Sequence, residues 1–223
     1  MHYVWVFTNL YEVAYVYSRS REASTAREVL RDFAGVLVSD FYSGYDSLEC
    51  KQQKCLIHLL RDLNEDVLKN PFNDEVAQIA TDFAGLLRSI VETIDRYGLK
   101  ACHLHKHKKE VERFYRTLLR RERNSEVARE WARRFDRNRA KLFTFLDHDG
   151  VPWNNNNAEH AIKAFALLRN AIGSSSTPKG MEEYLVLLSI SETCRFMGKD
   201  FLSFMRSGAT GISFFGGDPG SFN

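Results

Sequence analysis

The order of segments in the first forty residues is the feature that most constrains the fold. Residues 3–9 and 13–18 are rich in β-branched and aromatic side chains and predict two strands. The short link between them predicts an antiparallel hairpin. Residues 22–33 predict a helix, and the apolar run at 36–39 predicts a buried central strand. Asp40 follows that strand, at the edge where the sites of open α/β sheets gather. The sequence therefore predicts an α/β fold.

After Gln52 the apolar spacing changes to steps of three and four residues, and this pattern continues for nearly a hundred residues. Such spacing is typical of amphipathic helices. Pro71 and Gly98 separate successive helices. We therefore predict an all-helical insertion between two parts of one core. The predicted division is 1–49 for the first part of the core, 50–147 for the insertion, 148–207 for the C-terminal helices of the core and 208–223 for a flexible tail.

A run of four asparagines that ends at Asn157 predicts a turn and a helix cap, because asparagine side chains bond nearby backbone groups. Glu159 falls in the first turn of the following helix, where the helix dipole favours a carboxylate. Alone, this pattern describes a capped surface helix. Together with Asp40 it offers two carboxylates to a sheet-and-helix core, and converging carboxylates are what a site for two Mg²⁺ or Mn²⁺ ions requires. Asn155 and Asn156 are expected to support such a site without competing for the metal.

Positive charge is concentrated in one part of the chain, although the net charge is only +2. The segment from Arg96 to Lys141 holds 16 Lys and Arg against 6 Asp and Glu, a balance of +10, which leaves about −8 for the remainder. A basic block of this kind suits a polyanion such as DNA, and the alternative is a solvated helical surface. The candidate phosphate contacts in it are Lys106, Lys108, Lys109, Arg116 and Arg120.

Two further cations follow Glu159 on the same predicted helix. Lys163 lies one helical turn beyond Glu159, and Arg169 lies further along. We expect both to hold the DNA backbone beside the carboxylates. Lys163 has an equal alternative, which is an ion pair with Glu159 across that turn.

The composition excludes several classes of protein. No run of 18 or more apolar residues exists, so neither a transmembrane helix nor a membrane partner is predicted. No signal-like N-terminus is present, and four cysteines in 223 residues favour reduced thiols in a cytoplasm. Cys55 and His58 are weak zinc candidates, because a structural zinc site takes four ligands, and helix packing is the favoured alternative. The run from Cys102 to His107 is predicted to be a basic surface loop.

Several of these features occur together in one known family. Val38-Ser39-Asp40 is followed by Tyr42 and Tyr45, then by Cys55 to His58 with Arg61, then by Pro152 to Glu159, and then by Arg169 and Gly173-Ser174. In this order the motifs resemble those of the insertion sequence 66 family of bacterial transposases. The resemblance extends nearly from the N-terminus to about Gly208. Its most specific part runs from Asn155 to Glu159.

The resemblance implies an RNase H-like fold with an Asp-Asp-Glu (DDE) catalytic triad, in which Asp40 is the second Asp and Glu159 is the Glu. It implies an enzyme that cuts DNA at transposon ends and joins the 3′-hydroxyl to target DNA, using Mg²⁺ (or Mn²⁺). It also implies DNA as a partner, a second copy or a full-length transposase as the protein partner, and the bacterial cytoplasm as the location.

The chain departs from the family pattern in one important respect. In the family the first Asp lies on a strand before the hairpin, often as Asp-Glu-Thr, and no residue here takes its place. Milder departures are Phe41 in place of a usual glycine and His160 in place of a usual arginine. We therefore expect an incomplete, N-terminally truncated RNase H-like core that is inactive alone. The alternatives are a catalytically dead remnant that binds DNA or the full-length transposase as an inhibitor, and an inert pseudogene product.

Overall fold

A computed structural model describes residues 3–172 and 177–214, except for the side chains of Leu168, Ala171, Ile172 and Phe214. The chain is an α/β protein in which helices predominate. It divides into two compact units. We call Met1–Leu30 with Asn156–Asn223 the hairpin unit, and Arg31–Asn155 the helical unit. The predicted division into core, insertion and tail stays a prediction.

The strands and helices of the described part follow one another in an order close to the predicted one. They are β1 (Tyr3–Thr8), β2 (Val13–Ser18), α1 (Ser24–Val29), β3 (Val36–Ser39), β4 (Lys51–Lys54), α2 (Leu56–Lys69), α3 (Asp74–Tyr97), α4 (Ala101–Leu104), α5 (Lys108–Arg120), α6 (Glu126–Arg137), α7 (Arg139–Leu142), α8 (Asn156–Ile172), α9 (Pro178–Phe196) and α10 (Phe201–Ser207). Short 3-10 turns occupy Ser43–Ser47, His105–His107, Thr144–Asp147 and Ile212–Phe214.

The hairpin unit is built on the antiparallel pair β1–β2, which confirms the predicted hairpin. Helix α9 runs along the other edge of β2. There the Val13 N–H donates to Thr193 Oγ1 at 3.1 Å, and the Tyr15 N–H donates to Ser189 Oγ at 3.0 Å. These helix hydroxyls satisfy backbone groups that a third strand would otherwise pair. Side chains from the hairpin, α8 and α9 form a small core of Val13, Tyr15, Ala161 and Leu185.

The helical unit has a larger core, which α2, α3, α5 and α6 build from the apolar stripes of the sequence. Its centre is aromatic, with the ring centroid of Phe135 lying 5.0 Å from that of Phe83 and 5.2 Å from that of Phe114. The predicted helix breaks are confirmed, since α2 ends before Pro71 and α3 ends at Gly98. Gly98 has a φ of 71°, a conformation that glycine adopts without a steric penalty.

The strand predicted at 36–39 is confirmed as β3, but it is not a buried central strand. In the described part of the chain it pairs only with β4, which was missed, and only Ser39 of its four residues is buried. The sequence assigned Gln52 onward to a helix, whereas Lys51–Lys54 is a strand that pairs in parallel with β3. The reason is that Lys-Gln-Gln-Lys has no apolar residue, although three of its four side chains are buried. The pairs β1–β2 and β3–β4 are separate sheets in the described part of the chain. The RNase H-like core therefore stays a prediction.

Other bounds differ from the predicted ones. The helix predicted at 22–33 is the shorter α1. The run from Cys102 to His107 is not a loop but lies in α4 and a 3-10 turn, because Leu104 and His107 are buried and anchor it. The predicted flexible tail falls partly on residues 215–223, which lie outside the described residues.

Candidate active site

Asp40 leaves the C-terminal end of β3 and is partly buried. Its carboxylate oxygen Oδ1 accepts a hydrogen bond from the Tyr42 N–H at 2.9 Å. The Ser39 hydroxyl donates to the Asp40 carbonyl oxygen at 3.0 Å. The turn after β3 therefore fixes both the main chain and the side chain of Asp40, as aspartate does in Asx turns. The carboxylate is thus held at the edge of the strand pair rather than left mobile.

Three segments that are distant in sequence meet beside Asp40 within the helical unit. The Cys55 N–H donates to the Ser39 carbonyl oxygen at 2.8 Å. The next amide, that of Leu56, donates to the Trp153 carbonyl oxygen at 3.0 Å. Both donors belong to the start of α2, where the amides have no partner within the helix. The strand end at Asp40, the start of α2 and the segment before the asparagine run are therefore joined by backbone hydrogen bonds.

Lys54 is a buried cation at the same edge, and sequence reasoning missed it. Its side chain is 1% exposed, and its Nζ donates to Ser39 Oγ at 3.4 Å and lies 3.5 Å from Asp46 Oδ1. Burial lowers the pKa of the Lys54 amine, while the carboxylates of Asp46 and Asp40 raise it part of the way back. No signal in the sequence marked Lys54, because the strand that carries it reads as polar.

Asp46 links Lys54 to a second lysine. Lys141 donates to Asp46 Oδ1 at 2.8 Å from a side chain that is only partly covered. This hydrogen bond is the main reason that the pKa of Asp46 is lowered. Asp46 thus faces two ammonium groups, one buried and one open to solvent.

Glu159 lies in the hairpin unit, in the first turn of α8, and is partly buried. Asp40 lies in the helical unit, so the two predicted acids belong to different units. Asn155 is the last residue of the helical unit, and its Oδ1 is buried with no hydrogen-bond partner in the described part of the chain. Asn156 is exposed at the start of α8. The supporting role of both amides stays a prediction.

No group of three or more His, Cys, Asp and Glu side chains among residues 3–172 and 177–214 is placed to hold a metal ion. This bears on the weak zinc candidates. Cys55 is fully buried at the N-cap of α2, and His58 lies in the first turn of that helix. A structural zinc site needs four ligands, and both the zinc assignment and the alternative of helix packing stay predictions.

The basic residues of α5 form a stripe along its outer face. Lys109, Arg113, Arg116 and Arg120 follow at steps of four, three and four, and all four are exposed. None of them has an ion-pair partner among the described residues, and neither does the exposed Lys106. Lys108 differs, because its Nζ lies 2.6 Å from Asp147 Oδ1. Arg113 was missed as a candidate, although its spacing from the neighbouring cations is visible in the sequence.

The cations of α8 are also open to solvent. Lys163 and Arg169 are exposed, and neither has an ion-pair partner in the part of the chain that the structure describes. Lys163 therefore shows no sign of the alternative pairing across one helical turn with Glu159. Its role toward DNA stays a prediction.

Comparison with known proteins adds one decisive observation. Residues 1–183 match the profile of a family described as Transposase IS66 family. The chain belongs to the IS66 transposase family. The resemblance seen in the motifs is thereby confirmed, and membership places the chain among DNA-modifying enzymes with DNA as their partner. No curated protein and no solved structure matches the chain. Among the described residues, no helix is long and apolar enough to cross a membrane.

Proposed function

We propose that this IS66-family protein is the catalytic part of a DDE transposase, which cleaves DNA at transposon ends and transfers the cut strands. Asp40 and Glu159 are the two acids that it contributes. The observation that carries the proposal is the meeting of three family motifs at one edge, where Asp40 is fixed by the Tyr42 amide and the start of α2 bonds to both Ser39 and Trp153. In open α/β sheets, ligands commonly bind at the carboxyl ends of the strands.

The Mg²⁺ or Mn²⁺ that the family implies would supply activation of the attacking oxygen and stabilisation of the leaving oxygen. Carboxylates are suitable ligands for these hard cations. The described residues nevertheless do not fit a two-ion site by themselves, because they contain no group of three ligand side chains. They also bury the ammonium of Lys54 against Ser39, the residue before Asp40. We therefore assign Asp40 and Glu159 as ligands in the proposal and expect the chain alone to be inactive.

DNA is expected to lie along the basic stripe of α5. The stripe spans twelve residues, from Lys109 to Arg120. Its eleven helical rises make it about 17 Å long, which matches roughly five base pairs of B-DNA. Side chains without carboxylate partners gain the full benefit of a phosphate contact, and contacts of this type give affinity without sequence reading. Lys106 at one end of the stripe, Lys108 beside it and the two cations of α8, Lys163 and Arg169, complete the proposed contact set.

The test is nicking of supercoiled plasmid DNA in Mg²⁺ and in Mn²⁺. Two proteins are compared, the chain itself and the chain fused behind an upstream segment that carries an Asp on a strand. We expect the fusion to nick DNA and the chain alone not to. Asp40→Asn or Glu159→Gln within the fusion should abolish nicking while leaving DNA binding intact. A fusion that binds DNA but never nicks it contradicts the DDE assignment.

A second candidate function is inhibition, in which the chain binds DNA or a full-length transposase of its family without cutting. The observation in its favour is the exposed, unpaired basic stripe in a chain whose described residues lack a three-ligand group. Coexpression with a full-length IS66 transposase separates the candidates. An inhibitor lowers the transposition frequency, and neutralising Arg113 and Arg116 removes the effect if it acts through DNA.

A further inference from the structure

Lys54 is a buried lysine with little to compensate its burial. Among the described residues, the partners of its ammonium are the Ser39 hydroxyl at 3.4 Å, the Asp46 carboxylate at 3.5 Å and the ring of Tyr45, whose centroid is 5.7 Å away. Taking an ammonium out of water is costly unless it is paired at close range. An apolar side chain would pack the end of β4 at less cost. Stability therefore gives a poor reason for a lysine at this position.

The register of the strand pair shows what the ammonium is near. Ser39 and Lys54 are opposite each other on the last rung of β3–β4, and Asp40 is the next residue after Ser39. The carboxylate of Asp40 also acts electrostatically on Lys54, more weakly than that of Asp46. Because the Lys54 side chain is only 1% exposed, it is shut off from DNA phosphates. Its charge is instead held inside the helical unit, against Ser39 and Asp46.

We propose that the buried ammonium of Lys54 acts as a built-in counter-ion for the Asp40 carboxylate and lowers the affinity of Asp40 for a divalent cation. This rests on the proposed function in one respect, which is that Asp40 is a metal ligand. The physical reason is repulsion between two cations that would share one carboxylate in a partly desolvated place, where charges interact more strongly than in water. Lys54 is thus a positioning residue that sets the charge of the site.

The experiment measures Mn²⁺ binding to the full chain without DNA, from the electron paramagnetic resonance signal of free Mn²⁺. Lys54→Met removes the charge and keeps an unbranched side chain suited to burial. We expect Lys54→Met to bind Mn²⁺ roughly tenfold more tightly than the natural chain, or to bind it where the natural chain does not. Adding Asp40→Asn should remove this gain. The counter-ion proposal is overturned if Lys54→Met does not raise the Mn²⁺ affinity in a way that depends on Asp40. It is also overturned if no variant binds Mn²⁺.

Three further variants control for other causes. Lys141→Met removes a positive charge from the same Asp46 carboxylate but on its solvent side, so it should change Mn²⁺ affinity far less. Lys54→Arg keeps the charge and should bind Mn²⁺ as the natural chain does. Lys54→Gln replaces Lys54→Met if thermal unfolding shows that the methionine variant does not fold. If the role of Lys54 is purely structural, Lys54→Met, Lys54→Arg and Lys54→Gln should all bind Mn²⁺ more weakly than the natural chain, in proportion to the stability that each variant loses.

The outcomes also separate this proposal from the proposed function. If Asp40→Asn weakens Mn²⁺ binding in the natural chain while Lys54→Met does not tighten it, Asp40 remains a ligand and only the counter-ion role fails. If Lys54→Met tightens binding and Asp40→Asn has no effect on it, Asp40 is not the ligand, and the metal assignment of the proposed function fails as well.

Discussion

The N–H of Leu56 donates to the carbonyl oxygen of Trp153 at 3.0 Å, and this bond joins the first turn of α2 to the segment before the asparagine run. One residue earlier, the Cys55 amide joins the same turn to the end of β3 at Ser39. Both bonds are made by backbone atoms, so the arrangement depends on where β4 ends and α2 begins rather than on the side chains of the motif. The conformation of β4 therefore supports the whole edge at Asp40.

Gln53 holds β4 in place, and its replacement should destabilise the helical unit. Its fully buried amide donates to the Leu142 carbonyl oxygen at 2.8 Å and to the Lys54 carbonyl oxygen at 2.7 Å, and its Oε1 accepts from the Phe145 N–H at 3.1 Å. Gln53→Leu has a similar volume but leaves these buried groups unpaired. We expect the free energy of unfolding in urea to fall by about 2–4 kcal/mol.

The matched control for Gln53→Leu is Gln78→Leu on the exposed face of α3. Among the described residues, the side chain of Gln78 donates to Asp82 at the surface, so its loss should change the free energy of unfolding by less than about 0.5 kcal/mol. A Gln53→Leu effect as small as that of the control would show that the buried amide does not hold β4.

The same strand shows where sequence reasoning reaches its limit. The β-branched and aromatic content of β1 and β2 and the apolar stripes of α2 and α3 are local patterns, and they predicted those elements correctly. Strand β4 is polar, and its burial depends on distant acceptors such as the Leu142 carbonyl oxygen, which no local pattern shows. For the same reason Asp40 was found from its motif, whereas Lys54 emerges only from the parallel register.

Neutralising the α5 stripe should weaken DNA binding in a way that reports phosphate contacts. The double variant Arg113→Gln, Arg116→Gln removes two exposed cations that form no close ion pair among the described residues. Each lost phosphate contact lowers the slope of log affinity against log salt by about 0.9, so the slope should fall by about 2. Fluorescence anisotropy with a labelled duplex at several salt concentrations measures this.

The control for the stripe removes the same net charge elsewhere. Lys69 and Lys179 are exposed and paired with carboxylates one helical turn away, at 2.9 Å from Glu65 and 3.8 Å from Glu183. The double variant Lys69→Gln, Lys179→Gln should leave the salt slope unchanged. Equal losses in the two double variants would mean that net charge, and not the α5 stripe, drives binding.

Thr193 is expected to hold the hairpin unit together through its hydroxyl. The hydroxyl accepts from the Val13 N–H at 3.1 Å and lies 3.2 Å from the Val13 carbonyl oxygen, which covers the edge of β2. Thr193→Val keeps the shape of the side chain and leaves both backbone groups of Val13 unpaired. We expect a loss of about 1–3 kcal/mol in unfolding free energy and faster hydrogen exchange at the Val13 amide.

Two variants test whether the hydroxyl of Thr193 is the cause. Thr193→Ser keeps the hydroxyl and should protect the Val13 amide nearly as well as threonine does. Thr81→Val makes the same chemical change on an exposed part of α3 and should change the unfolding free energy by less than about 0.5 kcal/mol. Unchanged exchange at Val13 in Thr193→Val would contradict the role of α9 as the cover of this edge.

The stability of the helical unit should depend on pH through Glu110. Nδ1 of the buried His107 donates to Glu110 Oε2 at 2.9 Å, and the Ser89 hydroxyl donates to the same oxygen at 3.2 Å. Burial acts to raise the pKa of Glu110, but these hydrogen bonds, together with the positive charges of His107 and Arg113, outweigh it, and the pKa is lowered. Because the pKa is lower in the folded state, the ionised carboxylate stabilises the fold above its unfolded pKa, and this stabilisation is lost as the pH falls through the folded pKa.

Glu110→Gln measures that contribution. The natural chain should be more stable than Glu110→Gln at about pH 7, and the difference should shrink between about pH 5 and pH 3 as the carboxylate becomes protonated. Urea unfolding at several pH values gives the difference directly. Glu112→Gln, on the exposed face of the same helix, is the control and should show little dependence. A difference that stays constant or grows toward low pH would mean that His107 and Ser89 do not stabilise the ionised form of Glu110.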